Sequence, residues 1–320
     1  MVLLRARSGP AVGMGHVMRT RAVAQALLDL GVVSRVLVDD KASLQQLRSE
    51  GLEADIARPE AHLLDQPWRA AWIDVSEDCS QTLSALERTG IRSVLVENRT
   101  CARDHAWRLL YPTLHHRPDA WDEAHTRRVL AGPVWIPFAR EWRSNVRGAR
   151  REHDVLVTFG GSDPNRLTER VLNALGTDVG RVVVVLGAHM LSRRTAIERA
   201  GAHLRGLQLV AGCSCLRPWM ASSRMAITAV GTTLYELAHV GTPALVLANY
   251  ATDEPALAHY AEHGPHWPVG VAHELDEECL RERLREGIEL ARSVRPEVVD
   301  GLGDGASRIA RLLVHGEVAA

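Results

Sequence analysis

The chain has 320 residues, 46% hydrophobic and 24% charged, a balance that excludes intrinsic disorder and a length that favours two cores over one. Its 38 basic and 39 acidic residues leave a formal charge of −1, which excludes the basic excess of a general nucleic-acid binder. An aromatic share of 4% means that the cores are built mainly from Leu, Val, Ala and Ile, as in parallel sheets flanked by helices.

In chain order, Val2 to Arg7 predicts a first strand, Ser8 to Gly15 a loop, and His16 to Leu30 a helix that Gly31 closes. Strands follow at Val32 to Val38, Ala70 to Val75 and Ser93 to Val96, with helices at Ser43 to Glu50 and Ser80 to Thr89 between them. From Arg99 to Trp135 the pattern breaks up, and the polar stretch from Arg140 to Arg151 reads as a linker. A second alternating series runs through Asp154 to Phe159, Arg181 to Leu186, Leu207 to Val210, Met225 to Thr228 and Ala244 to Leu247. The expected organisation is two α/β domains in tandem, 1–140 and 141–320, with a last helix from Ala306 to Leu313 able to return to the first domain. The five cysteines are scattered and odd in number, the run after Met1 is too short for a signal core, and no apolar stretch reaches membrane-spanning length. A cytoplasmic address, with no membrane anchor, is expected.

Ligands of open α/β sheets bind beyond the carboxyl ends of the strands, which directs attention to four loops. The first carries Gly9, Gly13 and Gly15 before His16; its glycines admit close backbone approach, and the following helix start favours anions. It lacks the third glycine of a dinucleotide fingerprint. His16, at the helix start, suits general-base work and serves equally well as a structural cap. The second loop, Phe159-Gly160-Gly161-Ser162-Asp163-Pro164, fits a phosphate or base and equally a structural turn. The third, Gly231-Thr232-Thr233, offers amides to a pyrophosphate, with Glu236 one turn on as a ribose acceptor or an ordinary surface residue. The fourth runs from Asn249 to Pro255 and places Asp253 and Glu254 at a helix start, where the dipole favours them without any function. The spacing of His105, His115, His116 and His125 matches no metal signature, and Cys213-Ser214-Cys215 has no second thiol pair, so no metal and no cofactor are expected.

Three segments, Gly13-Met14-Gly15-His16-Val17-Met18-Arg19, Val157-Thr158-Phe159-Gly160-Gly161-Ser162-Asp163-Pro164 and Gly231-Thr232-Thr233-Leu234-Tyr235-Glu236-Leu237, together resemble the signatures of the PseG/SpsG family, and their order and spacing cover most of the chain. These are nucleotide-sugar hydrolases typified by UDP-2,4-diacetamido-2,4,6-trideoxy-altropyranose hydrolase and related to MurG glycosyltransferases. The resemblance implies a GT-B fold: two Rossmann-like domains with a cleft between them, the nucleotide on the second and the sugar facing the glycine-rich loop of the first. It implies that His16 activates water at the anomeric carbon, with Asp74 in support, and that Gly13, Gly15, Arg19, Asp253 and Glu254 face the sugar. Gly160, Gly161, Ser162, Asp163, Gly231, Thr232, Thr233 and Glu236 would hold the nucleotide and diphosphate. The implied reaction is inverting, metal-independent hydrolysis of a nucleotide-linked amino or deoxy sugar, UDP being the implied nucleotide. The alternatives are transfer of the sugar to a small acceptor and nucleotide-sugar binding without turnover.

The sequence departs from the family at three places, one of them the whole region from Arg99 to His125, which is its own. Asp253-Glu254 stand where relatives carry Asn-Gln, so acceptors replace amide donors, and the acidic pair after the next strand appears as Glu97-Asn98. The replacement at Asp253-Glu254 points to a different sugar or leaving moiety.

Overall fold

The computed structural model describes residues 1–9, 12, 14–57, 66–114, 123–142, 150–161, 163–213, 215–263, 266–293 and 302–316. Contacts divide the chain into two compact units, Met1–Arg143 with Gly301–Ala320, and Ser144–Asp300. The carboxyl-terminal segment, counted with the second half of the sequence, thus belongs to the first unit.

Unit 1 runs β1 (Val2–Ala6), α1 (Gly15–Asp29), β2 (Ser34–Val38), α2 (Lys41–Ser49), β3 (Ala54–Ile56), β4 (Ala70–Asp74), α3 (Ser80–Arg88), β5 (Arg92–Val96), β6 (Arg108–Tyr111), α4 (Glu123–Thr126) and β7 (Val129–Ala131). The strands form one parallel sheet in the order β3-β2-β1-β4-β5-β6-β7. The chain builds outward from β1 to β3 and then returns to place β4 on the other side of β1. That reversal opens a crevice at the carboxyl ends of β1 and β4, where open α/β sheets bind ligands.

Helix α1 is buried on almost every side, because the sheet covers one face and the last helix of the chain another. Gly31, at φ +68°, ends it. Trp72, fully buried on β4, donates its indole N–H to Thr20 Oγ1 at 3.0 Å and so fixes the helix against the strand that carries Asp74. Burial of a large side chain of this kind contributes about 1.5–3 kcal/mol relative to exposure.

Unit 2 runs β8 (His153–Val157), α5 (Leu167–Ala174), β9 (Val182–Val185), α6 (Arg194–Ala200), β10 (Gln208–Val210), α7 (Arg217–Ala221), β11 (Ser223–Ala229), α8 (Thr232–Val240), β12 (Ala244–Ala248), α9 (Glu254–His263), β13 (His266–Val271) and α10 (Glu277–Ser293). Its parallel sheet has the order β10-β9-β8-β11-β12-β13, so its reversal lies between β8 and β11. The core is aliphatic, with Val155, Val157, Val182, Val184, Ile227 and Leu245 sealed on the sheet and Leu172, Leu280 and Leu284 packed on it from the helices.

The final helix, α11 (Gly305–His315), packs against α1 through Ala306, Ile309, Ala310, Leu312 and Leu313. A side chain at Gly305 would collide with the backbone carbonyl of Ile136, so only glycine admits this approach.

Candidate functional site

In unit 1 the β1/β4 register places Ala6 beside Asp74, and the Arg7 amide donates to the Asp74 carbonyl at 2.9 Å, which draws the two strand ends together. His16, the second residue of α1, leans across this crevice. Its Nδ1 lies 2.6 Å from Asp74 Oδ1. The imidazole is therefore held by a carboxylate across the crevice instead of capping its own helix, and it keeps about 20% of its side-chain surface exposed.

Asp74 has no exposed surface. Both of its oxygens are taken by Arg19, one turn further along α1, through Nε to Oδ2 at 3.1 Å and Nη2 to Oδ1 at 3.0 Å. The remaining guanidinium nitrogen, Nη1, donates to Glu97. Burial alone would raise the Asp74 carboxyl, but the Arg19 charge and the His16 hydrogen bond outweigh it and hold the group below the ordinary carboxylate range. Burial likewise works against the Arg19 cation and is overcome by Asp74 and Glu97, which push its pKa up. Arg19, expected to face a sugar, is instead turned onto two carboxylates and positions Asp74. An acceptor on Nδ1 makes that nitrogen the proton-bearing one and leaves the Nε2 lone pair free, the arrangement of a general base.

Gly15 opens α1 beside this cluster, whereas Gly13 lies outside the described residues.

In unit 2 both expected nucleotide loops fall at the β8/β11 reversal. Among the described residues of the loop after β8, Gly160 at φ +74°, Asp163 at φ +44° and Arg166 at φ +52° are left-handed. Asp163 is fully buried, its carboxylate accepting from the Leu167 amide at 2.7 Å and the Thr168 amide at 3.0 Å. It thereby caps the start of α5, and its pairing with Arg193 ties the loop to the segment after β9. Arg193 also donates to the Asp163 carbonyl at 2.9 Å and pairs with Glu169. Gly187, after β9, lies so close to the carbonyls of Gly160 and Gly161 that any side chain there would collide with them. Ser162 lies outside the described residues.

The loop after β11 presents Gly231 to solvent, and Thr232 and Thr233 begin α8. Their amides belong to the first turn, where a helix offers no carbonyl, and the helix dipole adds partial positive charge. Glu236, half-buried, lies one turn further on. In the fourth loop the Asp253 carboxylate accepts from the Tyr250 amide at 3.1 Å, and burial raises its pKa despite that bond. Glu254 is exposed. A cavity of about 420 Å³ beside this loop is lined by Asn165, Arg170, Asn249, Tyr250 and His273. The first unit thus gathers His16, Arg19 and Asp74, and the second gathers the Gly160 and Gly231 loops at one sheet reversal.

Sequence reasoning missed three contributors. Glu97 figured only as a departure from a family pattern, although an acidic residue directly after an apolar strand was its signal. Arg193 and Gly187 act on the Gly160 loop from a distant segment, which no local pattern marks.

Similar solved structures follow the same plan. MurG from Acinetobacter baumannii is similar over 98% of each chain at 13% identity, with a TM-score of 0.64. UDP-GlcNAc 2-epimerase from Neisseria meningitidis, bound to UDP-GlcNAc, is similar over 98% of this chain and 100% of its own at 14% identity, with a TM-score of 0.62. The spinosyn rhamnosyltransferase SpnG, complexed with thymidine diphosphate, is similar over 98% and 96% at 15% identity, with a TM-score of 0.61. No family model and no curated protein matches the chain. At such identities the likeness establishes the fold: two parallel-sheet α/β units of the GT-B type.

Proposed function

We propose that this protein is a nucleotide-sugar hydrolase, in which unit 2 binds the nucleoside diphosphate and the His16–Asp74 pair of unit 1 activates the attacking water. The observation that carries the reading is the 2.6 Å contact between His16 Nδ1 and a fully buried carboxylate at the β1/β4 reversal. With Nδ1 donating to Asp74, Nε2 accepts a proton from water while the water oxygen attacks the anomeric carbon from the face opposite the leaving group. The bond from the anomeric carbon to the diphosphate oxygen breaks, its electron pair leaves with the nucleoside diphosphate, and the free sugar has inverted configuration. Asp74 balances the imidazolium that forms, and the first-turn amides of α8 receive the growing negative charge.

Several observations support this division of labour. The loops bearing Gly160 and Gly231 flank one sheet reversal, and a helix start at such a point is suited to phosphate. Two of the similar structures contain UDP-GlcNAc or thymidine diphosphate. Asp253 and Glu254 offer acceptors in the loop that begins at Asn249, which fits a sugar that carries donors.

A second reading, transfer of the sugar to a small hydroxylated acceptor, is favoured by the likeness to SpnG, and the same base serves an acceptor hydroxyl as well as water. The two separate in ¹⁸O-labelled water with a panel of UDP-, dTDP- and CMP-linked amino and deoxy sugars and no acceptor. Hydrolysis places label in the anomeric hydroxyl and is lost in His16→Ala. Nucleotide release that appears only when an acceptor is added establishes transfer, and tight nucleotide binding with no release under either condition sinks both.

A further inference from the structure

The residue after β5 has an unusual backbone. Glu97 is not a glycine, yet it sits at φ +46°, a left-handed conformation that L side chains rarely adopt. The surrounding chain holds it there from two sides. Its amide donates to the Leu110 carbonyl of β6 at 3.0 Å. The next residue, the buried Asn98, donates to the carbonyls of Val75 and Glu77, each at 2.9 Å, and accepts from the Thr100 amide at 2.9 Å. Strain so firmly imposed at the carboxyl end of a strand, one strand from Asp74, calls for a functional reason.

The Glu97 side chain supplies one. It accepts from Arg19 Nη1, and the Nη2 of the same guanidinium has two neighbours: Asp74 Oδ1 at 3.0 Å and His16 Nδ1 at 3.3 Å. Nδ1 can serve only one of two roles here, because a nitrogen that donates to Asp74 has no lone pair left to accept from Nη2. If both N–H groups of Nη2 stay turned from the ring, His16 Nδ1 donates to Asp74, carries the proton, and leaves Nε2 to act as a base. If the guanidinium rotates so that Nη2 donates to Nδ1, the proton must move to Nε2 and the outward nitrogen becomes a donor. Asp74 holds one edge of the planar fork through Nε and Nη2, and Glu97, bonding Nη1 on the far side, is the contact that opposes its rotation toward the ring.

We propose that Glu97 is a positioning residue that sets the tautomer of His16, by anchoring the Arg19 guanidinium so that Nη2 stays turned from the ring. The inference rests on His16 as the base of the proposed reaction, but its central measurement needs no substrate. Glu97→Gly removes the acceptor and relieves the left-handed backbone, so the variant has every reason to fold. Glu97→Gln keeps an oxygen for Nη1.

The ring nitrogens of ¹⁵N-histidine-labelled protein report the tautomer directly, at a pH where the rings are neutral, with the His16 signals assigned by their loss in His16→Gln. The wild type and Glu97→Gln are expected to show the proton on Nδ1. Glu97→Gly is expected to move a large part of the His16 population to the Nε2 proton and to lower turnover at least tenfold, with KM little changed. A folded Glu97→Gly that keeps the wild-type signature overturns the proposal, as does a Gln variant that behaves like Gly. A tautomer change in Glu97→Gly, with no turnover on any nucleotide sugar even in the wild type, supports the role of Glu97 while rejecting the hydrolase reading.

Discussion

The Asp74 carboxylate is the point on which fold and chemistry meet, and Asp74→Asn tests both. Asp74 accepts from His16 Nδ1 and from two Arg19 nitrogens at 2.6, 3.0 and 3.1 Å, entirely out of solvent. An amide of the same shape keeps one oxygen and replaces the other with a donor, which must then face either Arg19 or His16. Hydrogen bonds to charged groups contribute about 1.5–3 kcal/mol each, and uncoupling a buried ion pair costs about 3–5 kcal/mol. Because Glu97 still accompanies Arg19, the lower end applies, about 3 kcal/mol. For a unit of this size that lowers the melting temperature by about 6–12 °C, measurable by calorimetry. Turnover falls further, by about 10³–10⁴-fold, because the imidazolium loses its counter-charge and the ring its fixed tautomer. The acid limb adds a sign. The folded carboxyl lies below its unfolded value of about 3.9, so its stabilisation is complete above roughly pH 5 and is lost as pH falls through the lower folded value. The stability gap between wild type and Asp74→Asn should therefore hold from neutral pH down to roughly pH 5 and close on further acidification. An Asn variant that melts with the wild type at pH 7 and turns over within about threefold of it would show that the carboxylate does neither job.

Two further substitutions address unit 2. Gly187→Ala forces a methyl group against the carbonyls of Gly160 and Gly161, so the loop after β8 must shift; calorimetric titration should show nucleoside diphosphate binding weakened about tenfold or more, equivalent to about 1.4 kcal/mol. Asp253→Asn replaces a carboxyl that burial raises with a neutral amide that still accepts from the Tyr250 amide. Folded Asp253 binds its proton more tightly than the unfolded chain does, so its contribution is greatest at low pH and fades as pH rises through the raised folded value. The Asn variant should accordingly melt higher than the wild type at pH 7 but not at pH 4, and competition between sugars should show a changed preference.

Much of this architecture can be read from the sequence because parallel strands buried on both faces leave long apolar runs, as at Leu156-Val157 and Val182 to Val185. The strands that escape notice lie toward the sheet margins. β6 and β7 fall in the stretch read as irregular, and β3 is three residues long with Asp55 at its centre. β13 contains Pro268 and Gly270, which a central strand does not tolerate, and its place at the sheet edge is what permits the missing amide. Local pattern also places His16, Gly160 and Gly231 between a strong strand and the helix that follows it.

What local pattern cannot supply is the direction in which a side chain is spent. Arg19 and Asp163 lie in the motifs that resemble a ligand site, and both turn inward because a countercharge waits there from a distant element: the buried Asp74 and the partly exposed Glu97 for the first, the partly exposed Arg193 for the second. The two sites follow the same logic. An ionic residue in the motif fixes the shape of the loop or the ring, and in the proposed reaction the atoms that meet the ligand are the ones that charge pairing does not consume, His16 Nε2 in unit 1 and the first-turn amides of α8 in unit 2. On this view, substitutions of the inward ions change rate or affinity through geometry, so near-isosteric replacements that preserve an acceptor should be tolerated at Glu97 and not at Asp74, whose charge faces the imidazolium directly.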